Sequence, residues 1–126
     1  MSKKVISTPA APAAIGPYSQ AVEANGVLFV SGQIGINPAS GAIEATTIEG
    51  QTEQVLKNIK AILEAAGYTT ADIVRTSCLL SDIANFGAFN EVYGKHLSAP
   101  FPARSTFAVK DLPKGALVEI EVTAAK

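Results

Sequence analysis

The chain has 126 residues and a formal net charge of -1, which fits one domain able to bury a core without a disulfide or a metal. Its ten basic residues form no cluster, so the charge gives no reason to expect nucleic acid as a partner. One cysteine excludes an internal disulfide and fits a reducing compartment. We see neither a secretory signal nor an apolar run of membrane-spanning length, and we therefore expect a cytoplasmic protein.

The first part of the chain predicts an extended arm followed by a β-hairpin. Residues 1–14, with several alanines and prolines, form the arm. The predicted strands cover residues 19–24 and 27–34. Asn25-Gly26 joins them, because both positions tolerate the positive φ of a two-residue hairpin turn.

Gly32 interrupts the second of these strands. A glycine inside a strand often marks a bulge or a place where another group approaches the backbone closely. Regular alternation would place Gln33 on the same face of the strand as Phe29. A turn over residues 37–41 follows.

The clearest helix is predicted over residues 46–67. Thr46 and Glu49 have the spacing of a capping box, and Gly67 lies where helices commonly end. A strand rich in β-branched residues follows at 73–80. The helix has an apolar stripe at helical spacing, which consists of Val55, Leu56, Ile59, Ile62, Leu63 and Ala66.

A second helix is predicted from Asn85 to His96 or Leu97, and two strands follow it. The first of these strands carries Arg104, and the second begins at Leu117. The buried side of the helix is predicted to contain Phe86, Phe89, Tyr93 and Leu97.

The predicted element order is β-β-α-β-α-β-β, with possible extra strand pieces at the N-terminus and near Ile43, and it indicates an α+β fold. Two helices can cover only one face of the sheet, yet Arg75 is the only charged residue in the strands at 27–34 and 73–80. A sheet face with so few charges is expected to be covered. We predict that another copy of the chain covers it; an uncharged but hydrated face is the alternative.

The last two strands carry the residues best suited to chemistry. Alternation places Arg104 and Thr106 on one face of their strand, and Glu119 and Glu121 on one face of the other. The other face of each strand is apolar, with Phe107 and Val109 on the first and Val118, Ile120, Val122 and Ala124 on the second. If these apolar rows lie under the helices, the arginine and both carboxylates share the opposite face. An arginine can hold a substrate carboxylate, and a glutamate in a partly dry cleft can activate water. The alternative is a solvated ribbon with an incidental salt bridge.

Other candidate sites are weaker. No residues have metal-ligand spacing, and His96, near a helix C-terminus, is better explained by the favourable interaction of a positive charge there. Cys78 lies in the middle of a strand with no identifiable catalytic partner, which indicates a packed thiol. No phosphate-binding glycine loop is present.

Several motifs together resemble the RidA/YjgF family of reactive-intermediate deaminases, in order and over nearly the whole chain. They are Gly16-Pro-Tyr-Ser-Gln-Ala21, Val30-Ser-Gly-Gln-Ile34, Phe89-Asn-Glu-Val-Tyr93, Phe101-Pro-Ala-Arg-Ser105, Leu112-Pro-Lys-Gly115 and Val118-Glu-Ile-Glu-Val122. The resemblance implies one RidA-like domain over residues 1–126, with a chorismate-mutase-like α+β fold. It also implies a homotrimer with active sites in clefts between subunits.

The resemblance further implies hydrolysis of enamines and imines derived from 2-aminoacrylate, such as 2-iminopropanoate and 2-iminobutanoate, to 2-oxo acids and ammonia without a cofactor. Arg104 matches the residue that pairs with the substrate carboxylate, and Glu119 matches the one that positions water. The other matched pocket positions are Tyr18, Ser31, Gly32, Asn90 and Thr106. Many bacterial members have a cysteine where this chain has Thr106, so thiol chemistry is not expected there.

The resemblance also implies a functional link to the pyridoxal-phosphate dehydratases that release such intermediates. The alternatives to a deaminase within the same family are a metabolite-binding or regulatory module, a translation inhibitor or a ribonuclease. The net charge of -1 disfavours those that bind RNA.

Overall fold

The computed structural model describes residues 2–126 and contains two helices and a six-stranded sheet. The strands are β1 (Lys4–Ile6), β2 (Ala21–Ala24), β3 (Val27–Gln33), β4 (Ile36–Asn37), β5 (Ala42–Ile43), β6 (Ile73–Leu80), β7 (Ala103–Ala108) and β8 (Val118–Ala125). The helices are α1 (Ile48–Ala65) and α2 (Phe86–His96). The main sheet has the order β1-β2-β3-β8-β6-β7, and β4 pairs separately with β5.

Strand β8 lies in the interior of the sheet, between β3 and β6. All neighbouring strands are antiparallel except β6 and β7, which are parallel. The side chains of β8 alternate between a buried row on the face covered by the helices, here called the helix face, and a more exposed row on the opposite, open face. The buried row is Val118, Ile120, Val122 and Ala124.

Helix α1 begins one residue later than the sequence pattern predicts. Thr47, rather than Thr46, is the N-cap, and its side chain accepts a hydrogen bond from the Gly50 amide at 3.1 Å. The prediction for the C-terminus is confirmed: Ala66 is the C-cap and Gly67 follows with φ +82°, a conformation that favours glycine.

The remaining elements largely match the predictions. Asn25 and Gly26 form the hairpin turn, both with positive φ. Helix α2 buries Phe89 and Tyr93, whose ring centroids lie 5.5 Å apart. The core contains the apolar residues of α1 and α2 and the buried rows of the central strands, which confirms the α+β fold with both helices on one sheet face. None of the helices formed by residues 2–126 is long and apolar enough to cross a membrane.

The bulge predicted at Gly32 is also present, and it corrects one prediction. The pairing of β3 with β8 shifts register between Val30 and Gln33. The shift moves Gln33 onto the helix face, where it is buried opposite Ile120, instead of the face it was predicted to share with Phe29. An extra residue in a strand reverses the alternation beyond it, which explains the change.

Candidate active site

The bulge at Gly32 makes room for the carboxylate of Glu119. A methyl group at residue 32 would overlap the Glu119 Oε2 atom and would lie 2.9 Å from the carboxyl carbon. Any side chain larger than hydrogen would therefore displace this carboxylate. Gly32 was expected to mark either a bulge or a close approach to the backbone. The structure shows both, and the approaching group is the glutamate.

Glu119 lies at one side of a pocket of about 330 Å³. One wall comes from the N-terminal arm and the Tyr18 turn, another from the segment around Ile34, and a third from Pro113 and Lys114. Lys114 has φ +58°, a strained conformation for a residue with a side chain. The lining residues other than Glu119 and Lys114 are uncharged, and burial partly removes the Glu119 carboxylate from water.

This environment changes the protonation behaviour of Glu119. Burial raises the pKa of its carboxyl group above the ordinary value, and the nearby charge of Glu121 raises it further. Both effects make the ionised form more costly. A glutamate that holds its proton more tightly than usual is better able to exchange protons with a reacting group near neutral pH.

Tyr18 and Ser31 belong to the same side of the molecule. The Tyr18 ring is half exposed and lines the Glu119 pocket. The Ser31 hydroxyl donates a 2.6 Å hydrogen bond to the Ser19 carbonyl. The hydroxyl therefore holds the turn that carries Tyr18 beside the bulge.

Arg104 lies in a different environment, over the aromatic side chains of α2. Its Nη1 atom donates a 2.7 Å hydrogen bond to Asn90 Oδ1. Among residues 2–126, no carboxylate lies within ion-pair distance of the guanidinium. The guanidinium carbon lies over three rings, at 5.5, 5.9 and 4.8 Å from the centroids of Phe86, Phe89 and Tyr93.

The prediction that Arg104 and Glu119 share one face of the sheet in a single chain is wrong. In the parallel pairing with β6, Arg104 lies opposite Thr76, whose buried hydroxyl bonds that of Tyr93 at 2.8 Å. Arg104 is therefore on the helix face. Glu119 lies opposite Leu79 and beside Gly32, on the open face.

The error has an identifiable cause in the edge strand β7. Apolar residues were assigned to the helix face, but Phe107 is half exposed and lies opposite Leu79 in the row that faces the open side. The guanidinium of Arg104 lies over aromatic rings of α2 on the helix face instead, and long charged side chains can extend over apolar surface in this way. Strand β6 also separates β7 from β8, so Arg104 and Glu119 do not lie on adjacent strands.

Thr106 shares the helix face with Arg104, as alternation predicted. It lies opposite Cys78, and its Oγ1 atom is buried without a hydrogen-bond partner among the described residues. Burial raises the pKa of the Cys78 thiol, which fits the predicted packed thiol. The polar Thr106 side chain thus lies two residues from the guanidinium, on the same side.

Sequence reasoning assigned the aromatic residues of α2 only to packing. The structure shows that Phe86 and Tyr93 also support the guanidinium of Arg104. The sequence does contain a signal for this support: the aromatic residues and Asn90 are spaced so that they lie on one face of the helix. Nothing in the spacing indicates which strand lies beneath them.

Comparison with known proteins identifies the family. A family model described as Endoribonuclease L-PSP matches residues 8–126. The chain belongs to this family. It is 48% identical over 124 residues to Reactive Intermediate Deaminase A, chloroplastic, of Arabidopsis thaliana, covering 98% of this chain and 66% of that protein. The predicted RidA/YjgF membership is therefore confirmed.

Two further relatives show how much of this RidA-type chain is matched. It is 45% identical over 122 residues to the human 2-iminobutanoate/2-iminopropanoate deaminase, covering 97% of this chain and 89% of that protein. A crystal structure of a Rid-family protein from Yersinia pestis superposes with a TM-score of 0.97 at 52% identity, covering 99% of this chain and 100% of the other. The likeness therefore extends through all the elements that carry the candidate site.

Proposed function

We propose that this RidA-family chain hydrolyses small 2-imino acids and their enamine tautomers, such as 2-iminopropanoate and 2-iminobutanoate, to 2-oxo acids and ammonia. The observation that carries the proposal is an arginine with no carboxylate partner among residues 2–126, together with a partly buried glutamate that has a raised pKa. The name of the human relative supports the same substrate class.

Arg104 would bind the substrate carboxylate. Its guanidinium is oriented by Asn90 and shielded on the ring side by Tyr93, so part of its ordering is already achieved before a ligand arrives. A carboxylate can accept two parallel hydrogen bonds from such a group. Asn90 then acts by orienting the arginine.

Glu119 would handle the proton of the attacking water. The water oxygen forms a bond to the imine carbon, and the electron pair of the C=N bond moves to nitrogen, which takes up a proton. In the resulting tetrahedral species the amine nitrogen takes a further proton from Glu119, the C–N bond breaks with its electron pair going to nitrogen, and ammonia leaves. The hydroxyl group returns its proton to the carboxylate and becomes the carbonyl of the 2-oxo acid. A carboxylate with a raised pKa is suited to taking a proton from water and returning one to nitrogen.

The two groups would meet between copies of the chain, since one chain holds them on opposite faces of its sheet. The open face exposes half of Phe29 and of Phe107, which a second copy could cover. A cyclic homotrimer, as the family resemblance implies, would join the Arg104 side of one protomer to the Glu119 pocket of the next. Tyr18 and Thr106 would then line the same cleft from different protomers.

The family description also names an endoribonuclease. RNA binding depends mainly on phosphate contacts with Lys and Arg, whereas this chain has a net charge of -1 and no run of basic residues beyond Lys3-Lys4. The charge therefore favours a small anionic substrate over RNA.

The test is a coupled assay in which a threonine or serine dehydratase generates the imine and release of the 2-oxo acid is followed. Wild type should accelerate release over buffer. Arg104→Ala should lower kcat/KM by ~10-fold to 150-fold, equivalent to ~1.5–3 kcal/mol. Lys57→Ala, which removes an exposed positive charge on α1, is the matched control and should retain activity. A wild-type protein without acceleration would refute the deaminase function for these substrates.

A further inference from the structure

The part of the N-terminal arm that follows β1, taken here as residues 8–15, forms one wall of the Glu119 pocket but has few bonds of its own. Pro12, Ala13 and Ile15 line this pocket. Across the described residues, no backbone–backbone hydrogen bond connects residues 8–15 to the rest of the chain. Loops held by so few bonds open easily unless side chains fix them.

One buried side chain supplies the missing connections. The Gln20 amide nitrogen donates to the carbonyl oxygens of Thr8 at 3.0 Å, Ala11 at 3.3 Å and Pro12 at 2.8 Å. Its Oε1 atom accepts from the Thr8 amide at 2.7 Å. Gln20 is only 4% exposed, so its own polar atoms are satisfied chiefly by the arm.

We propose that Gln20 is a positioning residue for the reaction, which holds the arm in place as a wall of the substrate pocket. The inference rests on the proposed function, because the wall matters only if the Glu119 pocket receives the substrate. Gln20 follows Tyr18 by two residues, and its own carbonyl accepts the Ser31 amide at 3.0 Å. The same short segment therefore connects the arm, the tyrosine turn and the glycine bulge.

The hydrogen bonds from the Gln20 side chain to residues 8–12, here called the Gln20 clamp, hold the arm more than apolar contact does. In the stretch from Thr8 to Ile15, Ala11 is the only fully buried side chain, and a single alanine buries little surface. The other hydrogen bonds of the arm are local, from Ala10 to the Thr8 hydroxyl and from Ile15 to the Tyr18 hydroxyl. Loss of the Gln20 amide should therefore release the wall without dismantling the core.

Gln20→Met tests the clamp, because methionine keeps a similar length and apolar volume but cannot donate to the carbonyl groups. We expect faster hydrogen–deuterium exchange of the amides of residues 8–15. In the coupled assay, KM should rise about tenfold while kcat stays within about threefold, since the wall binds substrate and Glu119 is unchanged. Should the methionine variant not fold, Gln20→Glu keeps the length and the acceptor for the Thr8 amide, and the same measurements apply.

Tyr68→Phe is the control for a purely structural effect. It removes a hydroxyl that bonds Glu23 Oε2 at 2.6 Å on a fully buried tyrosine, without touching the arm. It should lower stability but leave KM and the exchange of residues 8–15 unchanged.

Three results would overturn the inference or part of it. Unchanged exchange in the arm of the Gln20 variants would refute the clamp. Faster exchange with an unchanged KM would refute the positioning role. A wild-type protein without imine hydrolysis would refute the proposed function and the positioning role with it, while the exchange experiment would still decide whether Gln20 holds the arm.

Discussion

The two halves of the candidate site are built in different ways. Arg104 projects from an edge strand, is exposed, and is held by an amide and aromatic rings of α2. Glu119 projects from an interior strand into a pocket whose shape depends on a glycine bulge. The first half supplies an oriented charge, and the second supplies a carboxylate with a raised pKa. Within one chain the sheet separates the two groups.

Gly32→Ala should have the largest effect of the substitutions that leave both charged groups in the chain. The added methyl group overlaps the Glu119 carboxylate and must displace it. Misplacement by about 1 Å can lower the rate ~10²-fold, and we expect a loss of that size in kcat. Gly87→Ala is the matched control, since an added methyl group there meets no atom of residues 2–126 within 4 Å apart from its chain neighbours and the backbone of its own helix. Equal activity of the two variants would contradict the assigned role of the bulge.

Asn90→Ala tests the other half and should have a smaller effect. It removes the 2.7 Å hydrogen bond that orients Arg104 but leaves the guanidinium in place. One hydrogen bond to a charged group contributes ~1.5–3 kcal/mol. Because water can replace part of this bond at an exposed site, we expect KM to rise about tenfold, with kcat less affected. The neighbouring exposed Glu91→Ala should leave KM unchanged, and an equal rise in both variants would indicate a general disturbance of α2.

Glu119→Gln should stabilise the protein slightly while it abolishes most activity. Folding raises the pKa of Glu119 above its ordinary value, so the native carboxyl binds its proton more tightly than the unfolded one. The free energy of unfolding of the wild type therefore falls as the pH rises from the ordinary glutamate pKa through the raised one. The variant lacks this cost, so its melting temperature at pH 7 should exceed that of wild type by ~2 °C. Solvent screening of a partly exposed group keeps the gain small.

The pH dependence of that gain distinguishes it from a general packing effect. The difference in melting temperature should shrink as the pH is lowered and should be gone at about pH 3, below the ordinary glutamate pKa of ~4.3, where the carboxyl is protonated in both states. Glu64→Gln, on the exposed side of α1, should show no such trend. A gain that persisted at acid pH would mean that charge is not its cause.

Sequence patterns located most of the elements because their signals are local. The apolar stripe of α1, the Asn25-Gly26 turn and the glycine after α1 each depend on residues a few positions apart. The helix start was missed by one residue because Thr46 and Thr47 are adjacent and both can cap a helix. The bulge at Gly32 was predicted, but its consequence for Gln33 required the actual pairing with β8.

The candidate site was less predictable, because its geometry depends on contacts that are distant in sequence. Alternation paired Arg104 with Thr106 correctly, yet it could not show that β7 runs parallel to β6 at the sheet edge. The Gln20 bonds to the arm involve a side chain and backbone atoms 8 to 12 residues away, and no residue pattern specifies them. The roles of Arg104 and Glu119 came from the family resemblance, and the sheet register determined where they lie.

Mixing two impaired variants tests most directly whether the site is completed between copies. Arg104→Ala and Glu119→Gln, unfolded and refolded together in equal amounts, should form mixed assemblies in which some clefts combine an intact arginine with an intact glutamate. For a cyclic assembly with random mixing, about a quarter of the clefts are complete, so activity should recover to about a quarter of the wild-type value. A mixture no more active than either variant alone would contradict a site shared between protomers.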